Sequence, residues 1–119
     1  MSGLKSYLTG KAAEDAVLAA YCATGHRLVC RRWRGPGGEI DLVLEKAGEV
    51  VFVEVKASHS FAAAAAHVSR PQIARLLASA EAGLGYFGKG ALTPMRFDVA
   101  LVDGQGRIDV IANALQAGC

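Results

Sequence analysis

The sequence predicts an α/β domain: a mixed sheet flanked by helices, in the order αβββαβ with a terminal β extension. Three observations predict it. A helix-period segment opens the chain, and three period-two segments follow back to back between residues 27 and 57. A second helix-period segment is then followed by another alternating run from residue 95. At 119 residues the chain has the length of one domain, 1–119. It is 52% hydrophobic and 20% charged, which supports a core and argues against disorder. No apolar run approaches the ~20 residues that span a bilayer. Met1 to Gly10 lacks the apolar stretch of a secretory signal. Three cysteines, Cys22, Cys30 and Cys119, make an odd number with no Cys-x-x-Cys spacing. That fits reduced thiols in a cytoplasmic protein without zinc, with Cys22 and Cys30 as small core residues.

The first helix is expected from Thr9-Gly10 to about Thr24, with Gly25 as its stop. Ala13, Ala16, Val17, Ala20 and Tyr21 recur at helical spacing and form its buried stripe. Asp15 has Lys11 four residues back and reads as a surface charge. Glu14 lies at the margin of the stripe, where an unpaired acid is costly; it either meets a partner or reaches water. Strands are expected at about 27–33, 38–45 and 50–57, the first two separated by the turn Gly35-Pro36-Gly37-Gly38. Residues 58–68 read as helix or loop, and His59 and His67 within them carry no assignment. A second helix runs from about Ser69 to Glu81, capped by Ser69, with Pro71 in its first turn and Ile73, Leu76, Leu77 and Ala80 on its apolar face. Gln72 and Arg75 share its polar face. Gly83, Gly85, Gly88 and Gly90 are expected to end the helix. Strands at 95–103 and about 107–111 complete the chain.

The second and third strands carry the chemistry. If Ala47 and Gly48 form a two-residue loop, Lys46 faces Glu49, Asp41 falls opposite Glu54, and Glu39 falls opposite Lys56. Facing side chains on such a ladder lie roughly 4.5–5.5 Å apart. Two carboxylates that close repel each other unless a cation lies between them. A loop of two or four residues puts Ile40, Leu42, Leu44, Val51, Val53 and Val55 on one face and the charged residues on the other; a three-residue loop mixes the faces. A solvent-facing surface whose charges only keep the chain soluble is the plain alternative. As ligands, Asp41 and Glu54 supply hard oxygens, suited to Mg²⁺ or Mn²⁺ rather than zinc. Such an ion is usually completed by substrate phosphate. Lys56 beside it can orient an attacking water or neutralise developing charge. Glu14 becomes a further ligand, or holder of an ion-bound water, if its helix packs beside the hairpin. These residues point to hydrolysis of a phosphodiester.

The net charge of +2 is uneven: residues 1–37 carry +4 and residues 38–119 carry −2. The excess concentrates in Arg27, Arg31, Arg32 and Arg34, with Trp33 among them. Guanidinium groups interleaved with an aromatic suit phosphate contact and base stacking; charges guarding an exposed strand edge are the alternative.

Gly38-Glu39-Ile40-Asp41-Leu42 followed by Val51-Phe52-Val53-Glu54-Val55-Lys56 resembles the signature of the UPF0102 (YraN-like) family, itself similar to archaeal Holliday-junction resolvases and the PD-(D/E)XK nuclease superfamily. The resemblance runs from Gly10 through about Val102. It takes in the Ala13-Glu14 helix, the Trp33-Arg34 strand and Arg96-Phe97-Asp98-Val99. It implies a restriction-endonuclease-like core and a Mg²⁺- or Mn²⁺-dependent endonuclease. The DNA expected as substrate is branched, nicked or single-stranded. Asp41, Glu54 and Lys56 take the catalytic roles, Glu14 is the helix acid, the Val55 carbonyl is a further metal ligand, and Gln72 is a polar helix position near the site. The family pattern has Lys-Thr-Arg where this chain has Lys56-Ala57-Ser58, and Lys where it has Pro71. These changes remove cationic or polar groups that touch phosphate, and Arg70 and Arg75 stand as replacements. The alternative is a nuclease-fold module that binds nucleic acid or a protein partner without catalysis. A homodimer is expected only by analogy with resolvase-like enzymes.

Overall fold

The computed structural model describes residues 8–87, 90 and 92–114. An irregular turn, Leu8–Ala12, breaks from helical geometry at Gly10 (φ −99°, ψ −109°) and leads into helix α1, Ala13–Ala23. Strands β1 (Arg27–Gly35), β2 (Gly38–Lys46) and β3 (Glu49–Ala57) follow, then α2 (Phe61–Ala66), α3 (Arg70–Phe87), β4 (Met95–Val102) and β5 (Ile108–Ile111). The sheet order is β1-β2-β3-β4-β5, with β3 at the centre. β3 and β4 pair in parallel and the other neighbours pair antiparallel, so the sheet is mixed, as expected. The architecture is compatible with a restriction-endonuclease-like core. Among the described residues no helix is long and apolar enough to cross a membrane.

The β2–β3 turn has the two residues expected of it. Ala47 (φ 51°) and Gly48 (φ 84°) both hold positive φ, the geometry whose twist matches a tight hairpin. Lys46 faces Glu49 and Leu42 faces Val53. The split into one apolar and one charged face is not observed, because helices cover both sides of the sheet. On one side α1 packs Ala13, Val17 and Tyr21 against Leu42, Leu44, Val51, Val53 and Ala100. On the other, α2 and α3 pack Ala64, Leu76, Ala80 and Leu84 against Val43, Phe52, Phe97 and Val99.

Several boundaries differ from expectation for physical reasons. Ser60 caps α2, its hydroxyl accepting from Ala63 N–H at 3.0 Å, which makes a helix of the alanine run. α3 does not end near Glu81. It continues through Gly83 and Gly85 because Gly83 lies where Trp33, Phe52 and Phe87 crowd in, with atoms 3.2–3.3 Å from an added Cβ. A glycine there serves close packing, not chain reversal. In α1, Ala20 and Cys22 are exposed and Ala16 half-buried, so the buried stripe is narrower than the spacing predicts. Cys30 is half-buried. Gly88 and Cys119 lie outside the described residues.

The Gly35–Gly38 turn is bound to α3. Ser79, fully buried, accepts a hydrogen bond from Gly37 N–H at 2.8 Å and donates one to the Gly38 carbonyl at 3.0 Å. A Cβ on Gly37 would run into the Arg75 carbonyl oxygen. Gly37→Ala is expected to cost about 1–3 kcal/mol in urea unfolding. Gly85→Ala, whose Cβ meets nothing within 4 Å, is expected to gain up to about 1 kcal/mol in the same helix. Matching midpoints for the two variants would remove this contact as the fixing point of the turn.

Candidate functional site

The site begins where two strands part. β2 pairs with β3 only as far as Leu42↔Val53. Beyond that point β3 continues against β4, from Glu54↔Val99 to Ala57↔Val102. β2 turns instead to β1, through Ile40↔Trp33, Glu39↔Arg34 and Gly38↔Gly35. Asp41 lies at the fork. Its Oδ2 accepts from the Val55 N–H at 2.8 Å, a charge-assisted bond standing where a ladder bond would be. Neither expected facing, Asp41 with Glu54 or Glu39 with Lys56, is a ladder pair, because the ladder has ended; the Asp41 and Glu54 side chains still meet, whereas Arg34 lies 3.6 Å from Glu39.

A backbone irregularity accompanies the fork. Arg32 falls between the pairs Arg31↔Leu42 and Trp33↔Ile40, opposite Asp41, and has φ 54°. Side chains change sides across this point: Leu42 packs under α1, whereas Ile40 and Trp33 join the cluster under α3.

Glu54 projects beside Asp41, 8% exposed, with Lys56 Nζ 3.5 Å from its Oε2. Burial, reinforced by the Asp41 carboxylate and opposed by Lys56, pushes Glu54 up to about 8 from 4.5. Its Oε1 is buried without a hydrogen-bond partner. These features fit a hard divalent cation. A buried oxygen lacks a donor, a neighbouring carboxylate has its second oxygen uncommitted to Val55, and the proton favoured on Glu54 is what such a charge would displace. Val55 adds to the set. The N–H and C=O of one strand residue point the same way, so the carbonyl of Val55 also looks toward β2, into the fork. Among the described residues no three His, Cys, Asp or Glu side chains gather closely enough to hold one ion. The fit is therefore to an ion completed by water and phosphate, not to a protein cage.

Glu14, on α1, lies against two arginines of β1. Its Oε1 lies 3.3 Å from Arg32 Nη2 and 3.5 Å from Arg31 Nη2, buried but without a well-directed hydrogen bond. Arg31 also donates to Asp15 at 2.8 Å, and Asp15 keeps the expected Lys11 pair at 3.5 Å. Trp33 is turned away from the arginines. Its ring meets Phe87 edge-on at 5.3 Å and Tyr86 at 6.2 Å. Arg34, Arg70 and Arg75 are exposed, and Gln72 is half-buried in the first turn of α3, its N–H held by Ser69 Oγ at 3.2 Å.

One cluster escaped the sequence reading. Asp98 on β4, fully buried, accepts from Tyr21 Oη at 2.7 Å, Arg96 Nε at 2.8 Å and Asn113 N–H at 3.0 Å. Arg96 also reaches Glu49 at 3.3 Å. Burial and the Asp98 carboxylate push the Tyr21 phenol up, so it stays a donor. The signal was Arg96 and Asp98 on one face of an otherwise apolar strand. The cluster fixes α1 and β4 against the β3 strand that carries Glu54.

The raised Glu54 acid makes a stability prediction. In EDTA the folded chain holds a proton that the unfolded chain has released above 4.5. Stability is then fully present below about 4.5 and falls as pH rises to about 8, by about 2–4 kcal/mol. Glu54→Gln is expected to flatten this fall, as read by denaturant unfolding across that range. A wild type whose stability does not drop would sink the assignment.

The model of the family described as "Uncharacterised protein family UPF0102" matches residues 13–102. A UPF0102 protein of Ruegeria pomeroyi is 52% identical over 116 residues, covering 98% of this chain and 94% of that protein. One from Cereibacter sphaeroides is 50% identical over 117 residues, covering 98% and 100%. A third, from Dinoroseobacter shibae, is 41% identical over 111 residues, covering 93% and 83%. Both the Asp41 and Glu54 strands and the Glu14 helix lie inside the matched span, and the chain belongs to the UPF0102 family.

Proposed function

We propose that this protein is a divalent-metal-dependent endonuclease that hydrolyses DNA phosphodiester bonds. The observation that carries the reading is the pairing of buried Glu54 with half-buried Asp41 at the strand fork, with Lys56 beside it. Folding alone gains little from two adjacent carboxylates, one of them with an oxygen left without a donor. Asp41, Glu54 and the Val55 carbonyl would hold Mg²⁺ or Mn²⁺. When bound, such an ion lowers the pKa of a coordinated water and stabilises charge on a phosphoryl oxygen.

The chain's own residues do the rest. Lys56 is held close by Glu54, so its ammonium is positioned before substrate arrives. It orients the attacking water or balances charge on the departing oxygen. Val55 N–H fixes the Asp41 carboxylate by one oxygen and leaves the other facing the fork. Gln72, Arg70 and Arg75 on the first turns of α3 are the residues expected to meet the strand on that side, and the β1 arginines on the other.

A second reading keeps the fold as a docking module for nucleic acid or protein without catalysis. The Lys56-Ala57-Ser58 sequence favours it, since cationic groups of the family pattern are missing beside the site. Divalent-metal binding abolished by Asp41→Asn separates the two, because a docking module has no need of the ion.

The direct test incubates the protein with duplex, single-stranded, flapped and four-way-junction DNA in Mg²⁺ or Mn²⁺. Cleavage by the wild type is expected on at least one substrate. Asp41→Asn and Lys56→Ala are each expected to lower the rate by about 10²–10³ while remaining folded. Absence of cleavage on every substrate, together with absence of divalent-metal binding, would move the assignment to the docking module.

A further inference from the structure

Arg32 combines three features that no single structural need explains. It sits within a strand at φ 54°, a conformation that glycine adopts freely and an arginine adopts at a cost. It lies opposite Asp41, at the fork. Its side chain is 54% exposed, yet its Nη2 lies 3.3 Å from Glu14, whose side chain is only 12% exposed.

The left-handed turn has a consequence for direction. Successive side chains of a regular strand point to opposite faces. Here neighbouring Arg31 and Arg32 both reach Glu14 on α1. Asp15 is matched by Arg31 and Lys11. The cluster thus sets Lys11, Arg31 and Arg32 against Glu14 and Asp15, one cation in excess. Arg32 engages its acid through one nitrogen, and its other donors have no partner among the described residues. A guanidinium with a free planar edge is suited to the paired oxygens of a phosphodiester.

We propose that Arg32 grips a phosphate of a nucleic-acid strand at the fork, and that Glu14 is the positioning residue that holds this guanidinium, not a ligand of the cation. The proposal rests on the reading above only as far as nucleic acid binds at the fork. The backbone strain at Arg32 is then the cost of aiming two adjacent arginines at one anchor while Trp33 returns to the core.

The experiment measures binding of a short fluorescein-labelled DNA duplex by anisotropy over a salt series in EDTA, so that cleavage plays no part. Arg32→Gly removes the guanidinium and suits the backbone. It is expected to melt at or above the wild-type temperature, yet to lose about tenfold in affinity, with a log–log salt slope shallower by roughly 0.9. Arg32→Lys is expected to recover the slope but only part of the affinity. In a Glu14→Gln background the loss from Arg32→Gly is expected to shrink, the sign of a coupled pair. Mn²⁺ affinity, measured by calorimetry, is expected to stay within about twofold in Glu14→Gln and to vanish in Asp41→Asn. Wild-type affinity and slope in Arg32→Gly would overturn the phosphate grip. Additive effects, or Mn²⁺ binding lost in Glu14→Gln, would overturn the role of Glu14. Mn²⁺ binding unchanged in Asp41→Asn would instead fall on the hydrolytic reading, and duplex binding of the expected form would leave the grip standing.

Discussion

The bond from Val55 N–H to Asp41 Oδ2 is the interaction on which the site depends. A strand that leaves its neighbour exposes backbone donors and acceptors, and inside a protein each must find a partner. β3 gains one side of its partners from β4, along the whole run Val50 to Ala57. On the other side β2 departs after Leu42, and a carboxylate replaces the missing strand. The replacement sets the chemistry. An acid must be drawn in beside Glu54 for the backbone to be satisfied, and two acids in a sheltered gap define a place for positive charge.

The surrounding structure keeps this arrangement from relaxing. Two helical layers cover the sheet, so β3 cannot twist to carry Glu54 into solvent without exposing Phe52 and Val53, both fully buried. Asp98 holds β4 to α1 through Tyr21 and to the segment after β5 through Asn113. A buried carboxylate with each oxygen bonded is tolerable where an unbonded one is costly. The contrast between Asp98 and Glu54, both buried, is informative. Asp98 has a donor for both oxygens, and Glu54 has an oxygen with none. The first reads as architecture and the second as a site awaiting a charge.

Much of this was legible in the sequence because strand periodicity and turn chemistry are local. The register of β2 and β3 from Leu42 to Glu49 followed from the Ala47-Gly48 turn, and it brought Asp41 and Glu54 to the end of the ladder, where their side chains meet. What lay beyond was the end of the ladder. Extrapolating the same pairing past Leu42 placed Glu39 against Lys56, whereas the strands had already separated. At the same end of β2, α3 holds the Gly35–Gly38 turn at Ser79, a contact over forty residues along the chain. The φ of Arg32 left no trace in composition, since a glycine would have signalled it and an arginine does not. Gly83 misled in the opposite direction: its small size answers Trp33 and Phe52 across the core, which a helix-stop rule cannot see.

The arginines of β1 show how charge patterning read along a sequence differs from charge in space. Along the chain they form a basic run. In the fold Arg27 meets Glu45, Arg31 meets Asp15, Arg32 meets Glu14 and Arg34 meets Glu39. Their long-range field is largely cancelled, so steering of a polyanion from a distance is weak and recognition is left to contacts at close range. Most of these pairs are exposed and individually worth little, which means a phosphate can compete for the guanidinium at small cost. Glu14 is the exception, being nearly enclosed. An anchor that cannot easily move away fixes where its arginine points, and on the proposed reading this gives a basic strand without much net field one preferred point of contact beside Asp41.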